Sequence, residues 1–155
     1  MTGEEPQVDI LDTLEEEHQE VAALLERLAE SKIARERKSL LRQVKEALIP
    51  HAQAEEKILY DALIAQKDKK AQQDGEEGYI EHSLAVKTIK GLENIDDAAS
   101  PEFGAGAKVL KELIRHHVKE EESAFWSDAR DNFSTDERKL MNQKYLAVKK
   151  KVALR

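Results

Sequence analysis

Apolar residues recur along most of this chain at alternating three- and four-residue steps, the period of a helix with one buried face. From about Asp9 to Glu30 the inward stripe reads Leu11, Leu14, His18, Val21, Leu25 and Leu28. A second helix, about Ile33 to Gln66, presents Leu41, Val44, Leu48, His51, Glu55, Ile58 and Ala62. Pro50 falls inside that pattern, where its missing N–H predicts a kink just before His51. Residues 67–78, KDKKAQQDGEEG, carry two glycines and no apolar period. They read as a connection, with a third helix starting between Asp74 and Gly78 and running to about Asn94 along His82, Ala85, Ile89 and Leu92. Ser100 followed by Pro101 is a helix start, since a serine caps the first turn and proline has no N–H to leave unpaired there. That fourth helix runs to about Ala129 with Leu110, Leu113 or Ile114, His117, Glu121 and Ala124 inward. Ser134 and Glu137 have capping-box spacing and open a short fifth helix through about Lys151.

Four long helices and a short tail predict an all-α, up-down-up-down four-helix bundle with a short C-terminal fifth helix. The 155 residues suit one domain with a real core. Residues 1–8 are expected to be a flexible N-terminus, 9–130 the bundle, and 131–155 a C-terminal helix packing on or extending from it. Six glycines and three prolines are few for this length, which fits a helical chain. The net charge of −7 would repel a phosphate backbone, so nucleic acid is not an expected partner. No cysteine is present, which excludes disulfides, thiolate zinc sites and thiol catalysis and leaves histidine and carboxylate as metal ligands. No apolar run approaches the roughly 20 residues that span a bilayer, and the start MTGEEPQVDI is acidic. The expectation is a cytoplasmic protein that avoids membranes.

A lone core histidine is usually hydrogen-bonded structure. Here His18, His51, His82 and His117 fall on four different helices, each where its stripe calls for an apolar residue, and burying four such rings without a common partner is costly. His51-x-x-x-Glu55 and His117-x-x-x-Glu121 each put an imidazole and a carboxylate one turn apart on one face. A buried carboxylate needs a cation or a proton, and no lysine or arginine lies on these stripes. A metal pair held by His18, His51, Glu55, His82, His117 and Glu121 satisfies every group. His116-x-x-x-Glu120 has the same spacing, but the turns before His117 are more apolar, so His117 is preferred. Glu56 and Glu122 are expected to point outward to solvent. Tyr60, Phe125 and Trp126 read as core closure at one end of the bundle, and the lysines of the last helix as its solvated face.

The segments DILDTLEEEHQEVAALLERLAE, LIPHAQAEEKILYDAL, YIEHSLAVK and LIRHHVKEEESAFW, spread over about residues 9–128, resemble the hemerythrin or HHE cation-binding family. The resemblance implies two non-haem irons bridged by two carboxylates and an oxygen species, with Glu55 and Glu121 bridging and the four histidines as terminal ligands. Manganese and zinc also suit such nitrogen and oxygen donors. The chain departs from the oxygen carriers of the family on helix three, where the positions one turn from His82 are Gly78 and Val86 instead of a second histidine. Its fourth-helix carboxylate also stands four residues after its histidine, where carriers have an aspartate five after. Glu77 and Glu81 are candidates for the gap, though neither shares the face of His82. A missing imidazole implies a coordination position open to water or substrate, which metal-centred catalysis requires. The function implied is a di-iron protein reacting with dioxygen, peroxide or nitric oxide in a peroxide-consuming or protective role. The alternative is an oxygen- or iron-binding, storage or sensing module without turnover.

Overall fold

The computed structural model describes residues 7–152; most of the segment 1–8 therefore lies outside the described residues. Five helices and no strand are present among them. Helix α1 (Ile10–Glu30) is capped by Asp9, whose carboxylate accepts from Leu11 N–H. Helix α2 spans 34–64 and α4 spans 101–132, and each contains one π-helical turn, Glu56–Tyr60 and Glu121–Phe125 respectively. Between them runs α3 (Lys69–Glu93), and α5 (Thr135–Lys151) follows the Ser134–Glu137 capping box. The helices α1 to α4 pack in chain order around a common core, α1 closing the ring on α4, and α5 lies across α1 and α2.

The core is two apolar clusters with a polar layer between them. One gathers Val21, Leu25, Leu28, Leu41, Val44, Leu48, Ile89, Phe103, Leu110 and Ile114. The other gathers Ile10, Leu14, Leu59, Tyr60, Leu63, Phe125, Trp126 and Tyr145. Each apolar face is thus interrupted at the same height, by the histidines of α1 to α4.

The structure departs from the sequence pattern in two places. First, α3 begins at Lys69, because Asp68 caps it by accepting from Lys70 N–H and Ala71 N–H. Its opening turns bury Ala71, Asp74, Gly75 and Gly78, small residues at helical spacing that escape a search for large apolar ones. A Cβ at Gly75 would lie 2.7 Å from Ile64 Cγ1, and one at Gly78 only 2.3 Å from Tyr60 Cε2, so glycine is what lets α3 approach α2. Second, the buried face after Glu55 is Leu59, Tyr60 and Leu63 instead of Ile58 and Ala62, and after Glu121 it is Phe125 and Trp126 instead of Ala124. Each π turn takes in one extra residue and rotates the following stripe by one position. Helix α2 continues as an α-helix through Pro50 to Glu55, and the π turn follows.

Candidate metal centre

The polar layer is built from six buried side chains. His18 comes from α1, His51 and Glu55 from α2, His82 from α3, and His117 and Glu121 from α4. Both carboxylates are fully buried. All four imidazoles turn Nε2 inward: His18 Nε2 lies 3.0 Å from Glu121 Oε1, and His51 Nε2 3.4 Å from Glu55 Oε1. His82 Nε2 is 3.2 Å from Glu55 Oε1, and His117 Nε2 3.3 Å from Glu121 Oε2. His116 is on the surface, its side chain 68% exposed.

The outward nitrogens follow one rule. Each Nδ1 meets a carboxylate from the neighbouring helix: His51 with Glu17 at 2.8 Å, His82 with Glu56 at 2.8 Å, His117 with Glu81 at 2.6 Å and His18 with Glu122 at 2.8 Å. Every helix of the ring gives one histidine and one such glutamate. A proton on Nδ1 donated to these carboxylates fixes the ring and leaves Nε2 with its lone pair toward the centre, as metal-binding histidines require. Glu56 and Glu122, expected in solvent, are thus parts of the site, and so are Glu17 and Glu81. Their signal was available in the sequence: Glu precedes His at 17–18 and 81–82, and Glu-Glu ends both His-x-x-x-Glu runs.

The six residues form two groups able to hold an ion, His18, His51, Glu55 and Glu121, and His82, His117, Glu55 and Glu121. Within each group one donor atom per residue lies within 4.8 Å of the others. The two groups share both carboxylates. His18 Nε2, Glu55 Oε2 and Glu121 Oε1 are buried without a hydrogen bond, although His18 Nε2 and Glu121 Oε1 are only 3.0 Å apart. Their lone pairs converge without pairing, an arrangement a cation resolves and a hydrogen-bonded core would avoid. On chemistry and geometry the donor set fits a pair of N/O-ligated metal ions.

Without a metal, protons carry the compensation. Burial alone would lower the proton affinity of the imidazoles, but the neighbouring carboxylates outweigh it and lift His51 to about 9. His18, His82 and His117 are raised for the same reason. Burial would raise Glu121, yet first the charge of His117 and then the nearby imidazole of His18 hold it well below the usual carboxylate range.

Tyr60, at the end of the first π turn, sends its hydroxyl into the second group. It donates to Glu121 and lies 3.1 Å from Glu55 Oε1, 3.2 Å from His117 Nε2 and 3.3 Å from His82 Nε2. Its ring occupies the space beside Gly78, so the helix-three gap is filled by a phenol from α2. The corresponding residue after the second π turn is Trp126, whose ring stacks on His18 at 5.9 Å and donates Nε1–H to Glu15. Neither aromatic is only core closure. On one side of the layer, the four imidazoles with Val21, Leu48, Ile114 and Val118 bound a void of about 10 Å³, enough for one water-sized molecule.

A helical ring with a buried four-histidine, two-glutamate layer defines a metal-binding bundle by its chemistry. Residues 9–126 match the hemerythrin HHE cation binding domain, and the chain belongs to that family. It is also 26% identical over 148 residues to a protein of Nostoc sp. (strain PCC 7120 / SAG 25.82 / UTEX 2576) named "DNA nickase". That alignment covers 96% of this chain and 41% of the relative, so the chain spans less than half of the protein it matches. No solved structure matches the chain significantly.

Proposed function

We propose that this chain is a non-haem di-iron protein that reacts with dioxygen, peroxide or nitric oxide, with peroxide consumption as its turnover. His18 and His51 would hold one ion and His82 and His117 the other, with Glu55 and Glu121 shared between them. The observation that carries the reading is the pair of fully buried carboxylates common to both donor groups, which only a pair of cations or several protons can neutralise. Bound iron would supply Lewis acidity and electrons. The protein's own part is to orient and exclude. Glu17, Glu56, Glu81 and Glu122 hold the imidazoles in register, and Val21, Leu48, Ile114 and Val118 keep the void beside them small and apolar, with room for one water-sized molecule. The Tyr60 hydroxyl places a proton at Glu121, inside the layer.

The test is metal analysis of protein from iron-replete cells, followed by steady-state peroxide loss and by cycling between oxygen and argon. Two irons per chain with catalytic peroxide loss support the reading. Two irons with a reversible spectral change and no turnover would move the chain to the binding and sensing class, and loading by zinc or manganese alone would refute iron. The name of the Nostoc relative suggests a second assay, nicking of supercoiled plasmid by the loaded protein. The net charge of −7 opposes tight contact with DNA. Strand breaks abolished by added catalase would reflect diffusing oxidants made by iron, whereas catalase-resistant nicking would favour the second activity.

A further inference from the structure

The helix α5 docks with an unusual face. Its buried positions, Arg138, Asn142 and Tyr145, and the half-buried Lys149 recur at four-, three- and four-residue steps, the period of an inward stripe, and none is aliphatic; Met141 and Val148 pack on the core beside them. Arg138 is held by Asp9 at 2.8 Å and by Phe133 O at 2.7 Å, which fixes the start of the helix. The other end is held by the metal centre. The Tyr145 hydroxyl, fully buried, donates to Glu17 and lies 3.3 Å from His51 Nδ1, and Lys149 Nζ donates to Glu17 Oε2 at 2.7 Å. Glu17 thereby receives three donors: an imidazole, a phenol and an ammonium. Among the described residues none of the other three glutamates is clamped this way. Glu56 and Glu122 meet only their histidines through their carboxylates, and Glu81 has besides His117 only the exposed His116 at 3.9 Å. The family match ends at residue 126, before α5 begins.

We propose that α5 is a working part of the metal centre. Tyr145 and Lys149 are positioning residues that immobilise Glu17 and, through it, the His51 ring, so the ion held by His18 and His51 is bound more tightly than the ion held by His82 and His117. A glutamate has three side-chain torsions, and one hydrogen bond to an imidazole leaves much of that freedom. Donors on both of its oxygens from a docked helix remove it before the ion arrives, and ligand orientation of this kind is commonly worth 10–100-fold in metal affinity. The inference rests on the di-iron reading above.

The experiment is anaerobic competition between the full-length protein and a chromophoric chelator for iron(II), which resolves the two binding steps. In Lys149→Met, and more strongly in Lys149→Met with Tyr145→Phe, the tighter step should weaken by roughly 10–100-fold while the weaker step stays within about threefold. Lys149→Arg should retain most of the parent's tight step. Glu56→Gln, acting on His82, should weaken the other step instead. Lys149 is partly exposed, so its replacement leaves the apolar core intact, and the metal-free variant should fold as the parent does, its melting temperature lowered only by what the lost ion pair with Glu17 contributes. The inference is overturned if Lys149→Met leaves both steps unchanged, weakens both equally, or lowers metal-free stability enough to account for the affinity lost. A parent chain that binds no iron would instead remove the reading of the site itself.

Discussion

At the residue scale, the centre sorts its glutamates by which atoms they face. Glu55 and Glu121 lie among the Nε2 atoms and belong to both donor groups, whereas Glu17, Glu56, Glu81 and Glu122 face Nδ1. On the proposed di-iron reading, replacing a shared carboxylate would remove a donor from two ions and uncover the charge between them. Glu55→Ala and Glu121→Ala are therefore expected to leave well under one iron per chain by metal analysis. Glu56→Ala should keep both irons under saturating metal but bind the ion at His82 and His117 roughly ten- to a hundredfold less tightly, since it only frees the ring of His82. Equal loss of bound iron in all three variants would mean that the inner and outer carboxylates are misassigned. The adjacent histidines provide a second check. His117 is buried with Nε2 toward Glu121 and His116 is on the surface, so His117→Ala should abolish the metal absorption bands and His116→Ala should preserve them. The opposite result would sink the register chosen for α4.

At the element scale, the two π turns explain how one helix serves the layer and then the apolar cluster beyond it. A regular α-helix carrying His51 and Glu55 inward would next bury Ile58 and Ala62; the extra residue in the turn brings Leu59, Tyr60 and Leu63 in instead. This is also where the sequence was hard to read. Four histidines and two glutamates stand out because a polar group at an apolar position breaks a 3.6-residue period. A π turn keeps that period on both sides and only shifts its phase, which cannot be seen without knowing where it lies. The start of α3 was hidden for a different reason, because its buried face is made of Ala71, Gly75 and Gly78 and leaves no apolar signal. The outer glutamates were masked by the acidic composition, in which one more surface Glu is unremarked. Gly78 allows a direct test of the α2–α3 approach. A Cβ there meets the Tyr60 ring at 2.3–2.9 Å, so Gly78→Ala should destabilise the protein by about 1–3 kcal/mol in denaturant unfolding, the cost of overpacking. In a Tyr60→Ala background the same substitution should cost under about 1 kcal/mol, and an undiminished penalty there would show that the ring is not the obstacle.

For the whole molecule, the same buried layer makes stability depend on pH with opposite signs in the two metal states. In the metal-free chain the imidazole of His51 is lifted to about 9 from an unfolded value near 6.5, by Glu55 and Glu17 acting against the penalty of burial. A raised histidine stabilises the fold fully below the unfolded value and loses that contribution as pH rises through the folded one. For His51 alone the change amounts to on the order of 3 kcal/mol between pH 6.5 and 9, and His18, His82 and His117 shift in the same direction. Metal-free protein should therefore melt at progressively lower temperature across that interval. The acid side is set by carboxylates: Glu17, which burial would raise, is held down to about 2 by His51, Lys149 and Tyr145, so its contribution is lost as pH falls from about 4.5 toward 2. When ions occupy the layer they take the place of the imidazole protons, and the loaded chain has no such protons left to lose. Its melting temperature should hold or rise from pH 6.5 to 9, and metal binding near neutral pH should release protons, measurable as a buffer-dependent heat in calorimetry. Parallel melting curves for the two states over this interval, with no protons released, would mean that the imidazoles are already neutral in the metal-free fold and that the two buried carboxylates are balanced in some other way.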